Sequence, residues 1–340
     1  MTEFTRVAMD TSKRVFNIYA VSTTGEVVRR ELRRERLLPF FAKLAPTKVV
    51  MEACAGSHYW GRELLALGHQ VRLLPPQYVK PFVRRNKNDD HDAEGIWVAA
   101  GQPSISSVPV KSVQQQADAM LLKVHELLTG QRTALMNAVR GHAAELGFIA
   151  AQGERGLAEL QQTLATASDA EVPPAAKQAL AVLRRQIDAI EMQLVEVERE
   201  LLRQFKADAD CKRLAAIPGI GMINALTLTR TVDFSQFTSG RHFAAWLGLV
   251  PREHSTGGKH RLGGISRAGD ERLRSLLVNG AMAVIRHMSP GRKGLLAWLE
   301  ALLKRKPKKV AAVALANKMA RIAWAMMTSG DAFRLLPKAG

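Results

Sequence analysis

Over roughly residues 1–105 apolar residues come in short blocks separated by turns, the pattern of alternating strands and helices. Arg6–Asp10 reads as a strand ending in an acid. Val15–Val21 and Val27–Leu32 are the next two strands, joined through a turn at Thr24-Gly25, and three consecutive strands imply an antiparallel meander. Leu37–Leu44 has the pattern of a short helix, and Lys48–Glu52 that of a buried strand, again closed by an acid. Tyr59–Leu67 is predicted helical and stops at Gly68. Gln70–Leu74 is a further strand, ended by Pro75-Pro76.

From Val113 to about Phe205 the period lengthens to three and four. Leu121, Val124, Leu128, Gln131, Leu135, Ala138 and His142 form one heptad seam. Leu180, Leu183, Ile187, Ile190, Leu194, Val197 and Leu201 form a second, followed by Phe205. Gly147–Pro174, with Gly153, Gly156 and Pro173-Pro174, reads as the bend between two arms of a coiled-coil hairpin. Beyond Lys212 the turn Ile217-Pro218-Gly219-Ile220-Gly221 opens an apolar helix over Met222–Arg230. Residues 250–270 read as a loop rich in glycine, hydroxyls and cations. Helices follow over Glu271–Met288 and Val310–Met327, and no apolar stretch is read as a membrane span.

Charge changes the picture. Forty-nine Lys and Arg against 31 Asp and Glu leave a formal net charge of +18, so the expected partner is a polyanion, nucleic acid first. No amphipathic helix with a Lys/Arg face stands out to favour a membrane surface instead. Cys54 and Cys211 are far apart and lack metal-ligand spacing, which reads as free thiols in a reducing cytoplasm; no secretory signal precedes the first strand.

In this basic chain one stretch is acidic: Asp89-Asp90-His91-Asp92, opening a helical run and flanked by Arg84, Arg85 and Lys87. Asp89 and Asp92 share a helix face. Acids suit a helix N-terminus, but three in four positions exceed what a cap needs. Asp10 and Glu52 close strands, and strand ends are where ligands bind in α/β sheets. The four together fit a pair of divalent ions about 4 Å apart, Mg²⁺ being the hard cation such oxygens prefer. A meander followed by strand–helix–strand, with acids at these places, is the layout of an RNase H or RuvC-like fold. The Pro-Gly-Ile-Gly turn resembles a helix-hairpin-helix element, in which Gly219 and Gly221 let backbone amides reach a phosphate. Gly257, Gly258, Lys259, Arg261 and Arg267 suit a loop wrapped on a phosphodiester. Lys304, Arg305, Lys306, Lys308 and Lys309 form a basic cluster available to nucleic acid.

Met9-Asp10-Thr11-Ser12-Lys13, Met51-Glu52-Ala53, Lys87–Ala93, Ile217–Gly221, Ser255–Lys259 and Gly264–Asp270 occur in this order. The set resembles the DEDD transposases of the insertion-sequence-110 family, its 1111 subgroup, over nearly the whole chain. The resemblance implies a RuvC-like domain over 1–108, a coiled-coil hairpin over 109–208 and a mainly helical transposase domain over 209–335. It implies a DNA recombinase guided by a structured RNA from the element's non-coding end, acting as a homo-oligomer, dimer or tetramer. It makes Asp10, Glu52, Asp89 and Asp92 the acids and places a nucleophilic serine in the loop at Ser255, with Thr256 one register away. The alternative is a Holliday-junction type of metal-dependent nuclease that uses the acids alone to hydrolyse DNA.

Overall fold

Side-chain alternation in the first strands sorts one apolar set to each face of a sheet. The computed structural model describes residues 3–83, 89–256, 261–289 and 294–333. The chain forms two units, Met1–Gln116 and Ala117–Gly340.

In the first unit β1 (Phe4–Asp10), β2 (Val15–Ser22) and β3 (Val27–Arg33) form the expected meander. α1 (Arg34–Phe41) leads to β4 (Lys48–Glu52), α2 (Ser57–Ala66) to β5 (Gln70–Leu74), and α3 (Pro76–Val79) precedes α4 (Asp89–Ala99). The five strands lie in the order β3-β2-β1-β4-β5, with β1, β4 and β5 parallel. Val7, Met9, Phe16, Ile18, Val49 and Met51 pack one face against Leu37 and Phe41 of α1 and Trp60 and Leu64 of α2. Ala8, Tyr19, Val50 and Leu74 line the other face and receive Ala93, Ile96 and Ala99 of α4. Both faces are covered, which is why β1 and β4 read as continuous apolar runs.

In the second unit the long helices are α5 (Val113–Glu145) and α7 (Pro174–Ala207), with α6 (Glu154–Thr166) between them. The expected bend therefore contains a helix of its own. Leu157, Leu160 and Leu164 of α6 pack on Met136, Val139 and Ala143 of α5 and on Leu180 and Ile187 of α7. Leu180, Ile187, Ile190, Leu194 and Leu201 of α7 are buried, as a seam there requires. In α5 the buried stripe is Ala119, Leu122, Met136, Val139 and Ala143, one position off the seam read from sequence, and Val124 is 43% exposed. The error has a physical cause: α5 carries apolar residues on two adjacent stripes, and periodicity alone does not choose between them.

α8 (Ala209–Ala215), α9 (Met222–Thr231), α10 (Gly240–Trp246), the β6 (Pro251–Glu253)–β7 (Leu262–Ile265) hairpin, α11 (Glu271–His287), α12 (Leu295–Leu303) and α13 (Lys308–Ser329) complete the unit. α13 does have the length and apolarity to cross a membrane by those measures, contrary to the sequence reading. Its Ala311, Ala312, Leu315, Ala316, Met319, Ala320 and Ala323 are instead buried in the unit's main core. A helix packed on several sides needs apolar residues all round.

Candidate active site

Met9 of β1 is paired in parallel register with Met51 of β4. Asp10 and Glu52, one residue further on, therefore stand side by side at the same end of the sheet. Alternation puts them on the face of Ala8 and Val50, the face that α4 covers. Asp92 lies in the first turn of α4, one residue before buried Ala93. All three acids are half-buried.

Their proximity registers in electrostatics. Burial first, then the negative charges of Asp10 and Asp92, push the Glu52 carboxyl above the ordinary carboxylate range. Three of the four predicted acids are thus brought together. Asp89 opens α4, but its side chain lies outside the described residues. Among the described residues no group of three acidic, histidine or cysteine side chains is arranged to hold a metal ion. By chemistry alone the donor set suits a hard divalent cation: the ligands are all oxygens, two closing strands and one in the first turn of α4, and a cation would relieve their mutual repulsion. Thr11 Oγ1 lies 2.8 Å from Cys54 Sγ, tying the segment after β1 to the segment after β4. Sequence reasoning missed Asn17, which is 7% exposed and sits opposite Asp10 in the β1–β2 register. A polar residue inside the apolar run Val15–Val21 was the available signal.

The second predicted centre is not a plain loop. β6 and β7 pair antiparallel, and the His254 amide donates to the Arg261 carbonyl at 2.8 Å. Ser255 stands just past β6, exposed, and its Oγ donates to Glu253 Oε1 at 2.6 Å. Residues two apart on extended backbone point the same way, so the pair follows from strand geometry. Glu253 was also missed, although its i, i+2 spacing to Ser255 was there to be read. Thr256, the other hydroxyl candidate, is exposed as well.

Residues 211–295 match the family model described as Transposase IS116/IS110/IS902 family. The chain is 45% identical over 332 residues to a chain named as a transposase in Sinorhizobium fredii, covering 97% of this chain and 85% of that one. It is 37% identical over 336 residues to the transposase for insertion sequence element IS1111A of Coxiella burnetii, covering 98% and 92%. The transposase for insertion sequence element IS1328 of Yersinia enterocolitica is 38% identical over 335 residues, covering 98% and 99%. The chain belongs to the IS116/IS110/IS902 transposase family. Transposases are enzymes that cut and rejoin DNA.

The structure also sorts the other predicted site residues, seven of which lie in the stretch matching the transposase family model. Gly219 has φ +91, and a Cβ there would press on the Gly280 carbonyl and Met319. Gly280 of α11 is equally tight, since its own Cβ would collide with the Gly219 carbonyl oxygen. Asn224 Nδ2 donates to the carbonyls of Gly219, at 3.1 Å, and Leu276, at 3.2 Å. Gly219 is thus accounted for by a close backbone crossing, a role sequence reasoning did not foresee. Gly221, the N-cap of α9, is exposed with open space where a Cβ would be, and it alone of the two is placed to meet a ligand.

Arg267 takes a left-handed φ of 56 and donates its amide to the Gly248 carbonyl, leaving the residue exposed. Arg261 opens the return to β7 and is exposed. Lys304, Arg305, Lys306, Lys308 and Lys309 are exposed at the turn into α13. Cations crowded at a helix N-terminus oppose its dipole, and a bound phosphate would reverse the sign. Arg84, Arg85, Lys87, Gly257, Gly258 and Lys259 lie outside the described residues.

Proposed function

We propose that this transposase exchanges DNA strands through a covalent phosphoserine on Ser255, with two Mg²⁺ ions held by Asp10, Glu52, Asp89 and Asp92. The observation that carries the metal site is the convergence of Asp10, Glu52 and Asp92, with Glu52 held against the repulsion of the other two. The strand order β3-β2-β1-β4-β5 with acids at its parallel ends supports reading the first unit as RuvC-like. A structured RNA from the element's non-coding end guides the enzyme, which works on DNA in the cytoplasm as a homo-oligomer, dimer or tetramer. The arm of α5 and α7 is read as the coiled coil.

In the cutting step Ser255 Oγ attacks the phosphorus, and its proton passes to the Glu253 carboxylate that already accepts its hydrogen bond. The bond from phosphorus to the departing deoxyribose oxygen breaks as the Oγ–P bond forms. Asp10, Glu52, Asp89 and Asp92 would hold the divalent ions, whose chemistry would be to neutralise phosphate charge and stabilise a leaving oxygen. Because the phosphodiester energy is kept in the serine ester, a new DNA hydroxyl rejoins the strand by the reverse exchange, with no energy cofactor.

The test is cleavage by Asp10→Ala and Asp92→Asn at saturating Mg²⁺, with reactions resolved on denaturing gels. Both variants should lose cleavage and keep nucleic-acid binding, and wild type should leave a protein-linked DNA end. Wild-type rates in Asp10→Ala would remove the metal site. A free hydrolysed end without adduct would make the protein a metal-dependent nuclease. Sequencing RNA that co-purifies with the protein tests the guide.

A further inference from the structure

The sheet end that carries Asp10 and Glu52 is ringed by cations that the reading above does not use. The β1–β2 turn contributes Lys13 and Arg14, and the β3–α1 junction contributes Arg33, Arg34 and Arg36; all five are exposed. The two segments are joined, since the Arg34 amide donates to the Arg14 carbonyl at 2.8 Å. Register fixes the distance scale. Asp10 pairs with Asn17, Asn17 with Glu31, and Arg33 pairs with Val15 one pleat beyond, about 7 Å further along the sheet. Alternation places Arg33 on the face of Asn17 and Asp10.

Three features separate this rim from an ordinary solvated face. Among the described residues, none of the five cations has a carboxylate partner, whereas Arg29 on the same strand is paired with Glu94 at 3.2 Å. The opposite end of the sheet holds Glu3, Thr23, Thr24, Glu26 and Lys48, with no such excess of positive charge. Arg33 is the N-cap of α1 and makes no capping bond, and in the first turn Arg34 and Arg36 flank the single acid Glu35, so cations outnumber it where the helix dipole favours acids. Breaking a local rule in this way is expected where a ligand supplies the compensation.

An aromatic platform adjoins the cations. Tyr59, in the first turn of α2, is 41% exposed and is held edge-on by Trp60 at 4.9 Å. The Arg34 guanidinium stands over both rings, 5.9 Å from Tyr59 and 4.7 Å from Trp60. From these observations we infer that Lys13, Arg14, Arg33, Arg34, Arg36 and Tyr59 form a docking surface for an unpaired DNA strand on its way to the acid row. Phosphates lie on the cations, and one base stacks on Tyr59. Unpaired DNA is the occupant because a base inside a duplex does not expose its face to an aromatic ring, whereas charge with an exposed ring is how single strands are held. The assignment of DNA rests on the acid row being the cleavage centre.

The test uses the full-length protein, a fluorescent single-stranded DNA, a duplex and an RNA of equal length, and no divalent metal. Lys13→Ala/Arg14→Ala/Arg33→Ala should lower the slope of log affinity against log salt on single-stranded DNA by about 2, at about 0.7 for each phosphate left without its cation. Tyr59→Ala should weaken single-stranded DNA roughly 5- to 150-fold and duplex little. Thermal melting at the wild-type midpoint shows that each variant is folded, and Arg33→Lys, which keeps the charge, should bind nearly as wild type. Unchanged slope and affinity in the folded variants would overturn the surface, as would a loss confined to RNA. The two readings fail separately. Normal binding by the variants with a dead Asp10→Ala leaves the acid site and removes this surface. Lost binding with a fully active Asp10→Ala does the reverse.

Discussion

Ser255 donates its hydroxyl to Glu253 across 2.6 Å, and the two residues are fixed by the hairpin that also joins His254 to Arg261. A serine hydroxyl is a weak nucleophile until a neighbouring group can take its proton. Glu253→Gln keeps an oxygen that can accept the hydrogen bond but removes the acceptor of the proton. Formation of the protein–DNA adduct should therefore slow by about 10²- to 10⁴-fold with DNA affinity unchanged. Ser255→Ala should form no adduct, and Thr256→Ala is the control for register. An active Ser255→Ala beside a dead Thr256→Ala would move the nucleophile by one residue.

Glu52 gives a prediction whose readout is stability. Its folded carboxyl holds a proton more tightly than the unfolded chain does, through burial and the repulsion of Asp10 and Asp92. Stability then falls as pH rises from the ordinary carboxylate value through the raised one. At neutral pH without metal, Glu52→Gln should melt above wild type, because the variant carries no charge to desolvate or to repel Asp10 and Asp92. Mg²⁺ should raise the wild-type midpoint and leave the variant nearly unmoved. Calorimetry with and without Mg²⁺ measures both, and an equal response in the two proteins would count against the site.

Arg230 ties two acids together, Asp208 at 2.6 Å and Asp118 at 3.1 Å, in a largely buried network. Burial pushes the Asp208 carboxyl up. The amides of Cys211 and Asp210 and the Arg230 guanidinium outweigh it and hold the pKa below the ordinary value. Its contribution is complete above the unfolded aspartate value, about 3.9, and is lost as pH falls through the lowered folded value. Arg230→Ala leaves both carboxylates half-buried without their partner and should cost about 2–3 kcal/mol. Urea unfolding at pH 7 and at a series of pH values below the unfolded aspartate value should show the penalty shrinking as pH falls.

Gly219 and Gly280 should behave as packing residues. Gly280→Ala drives a methyl into the Gly219 carbonyl, and Gly219→Ala adds a strained left-handed φ to a clash. Each should destabilise by about 1–3 kcal/mol or more. DNA affinity per folded molecule should be unchanged. Gly221→Ala meets open space and should fold normally. Chemical denaturation and binding titrations on the same preparations separate the two effects.

Local pattern was enough for the strands of the first unit. Lys48–Glu52 and Gln70–Leu74 stand where alternation and flanking turns put them, and Asp10 and Glu52 close their strands as read. The seam of α7 was legible because one stripe of large apolar residues dominates that helix, and the excess of positive charge needed no structure at all. What was not legible depends on distant partners. The parallel pairing of β1 with β4 sets Asp10 beside Glu52, and the packing of α4 on that face brings Asp92 to them. The stripe of α5 that is buried depends on α6 and α7, so periodicity alone chose the neighbouring one. Gly219 looked like a phosphate cradle because the α11 residue that demands it, Gly280, lies 61 positions away in the chain. Hydrophobic period and residue type are properties of a segment, whereas the facing of acids, the choice of stripe and the crossing of two glycines are set by contacts between segments.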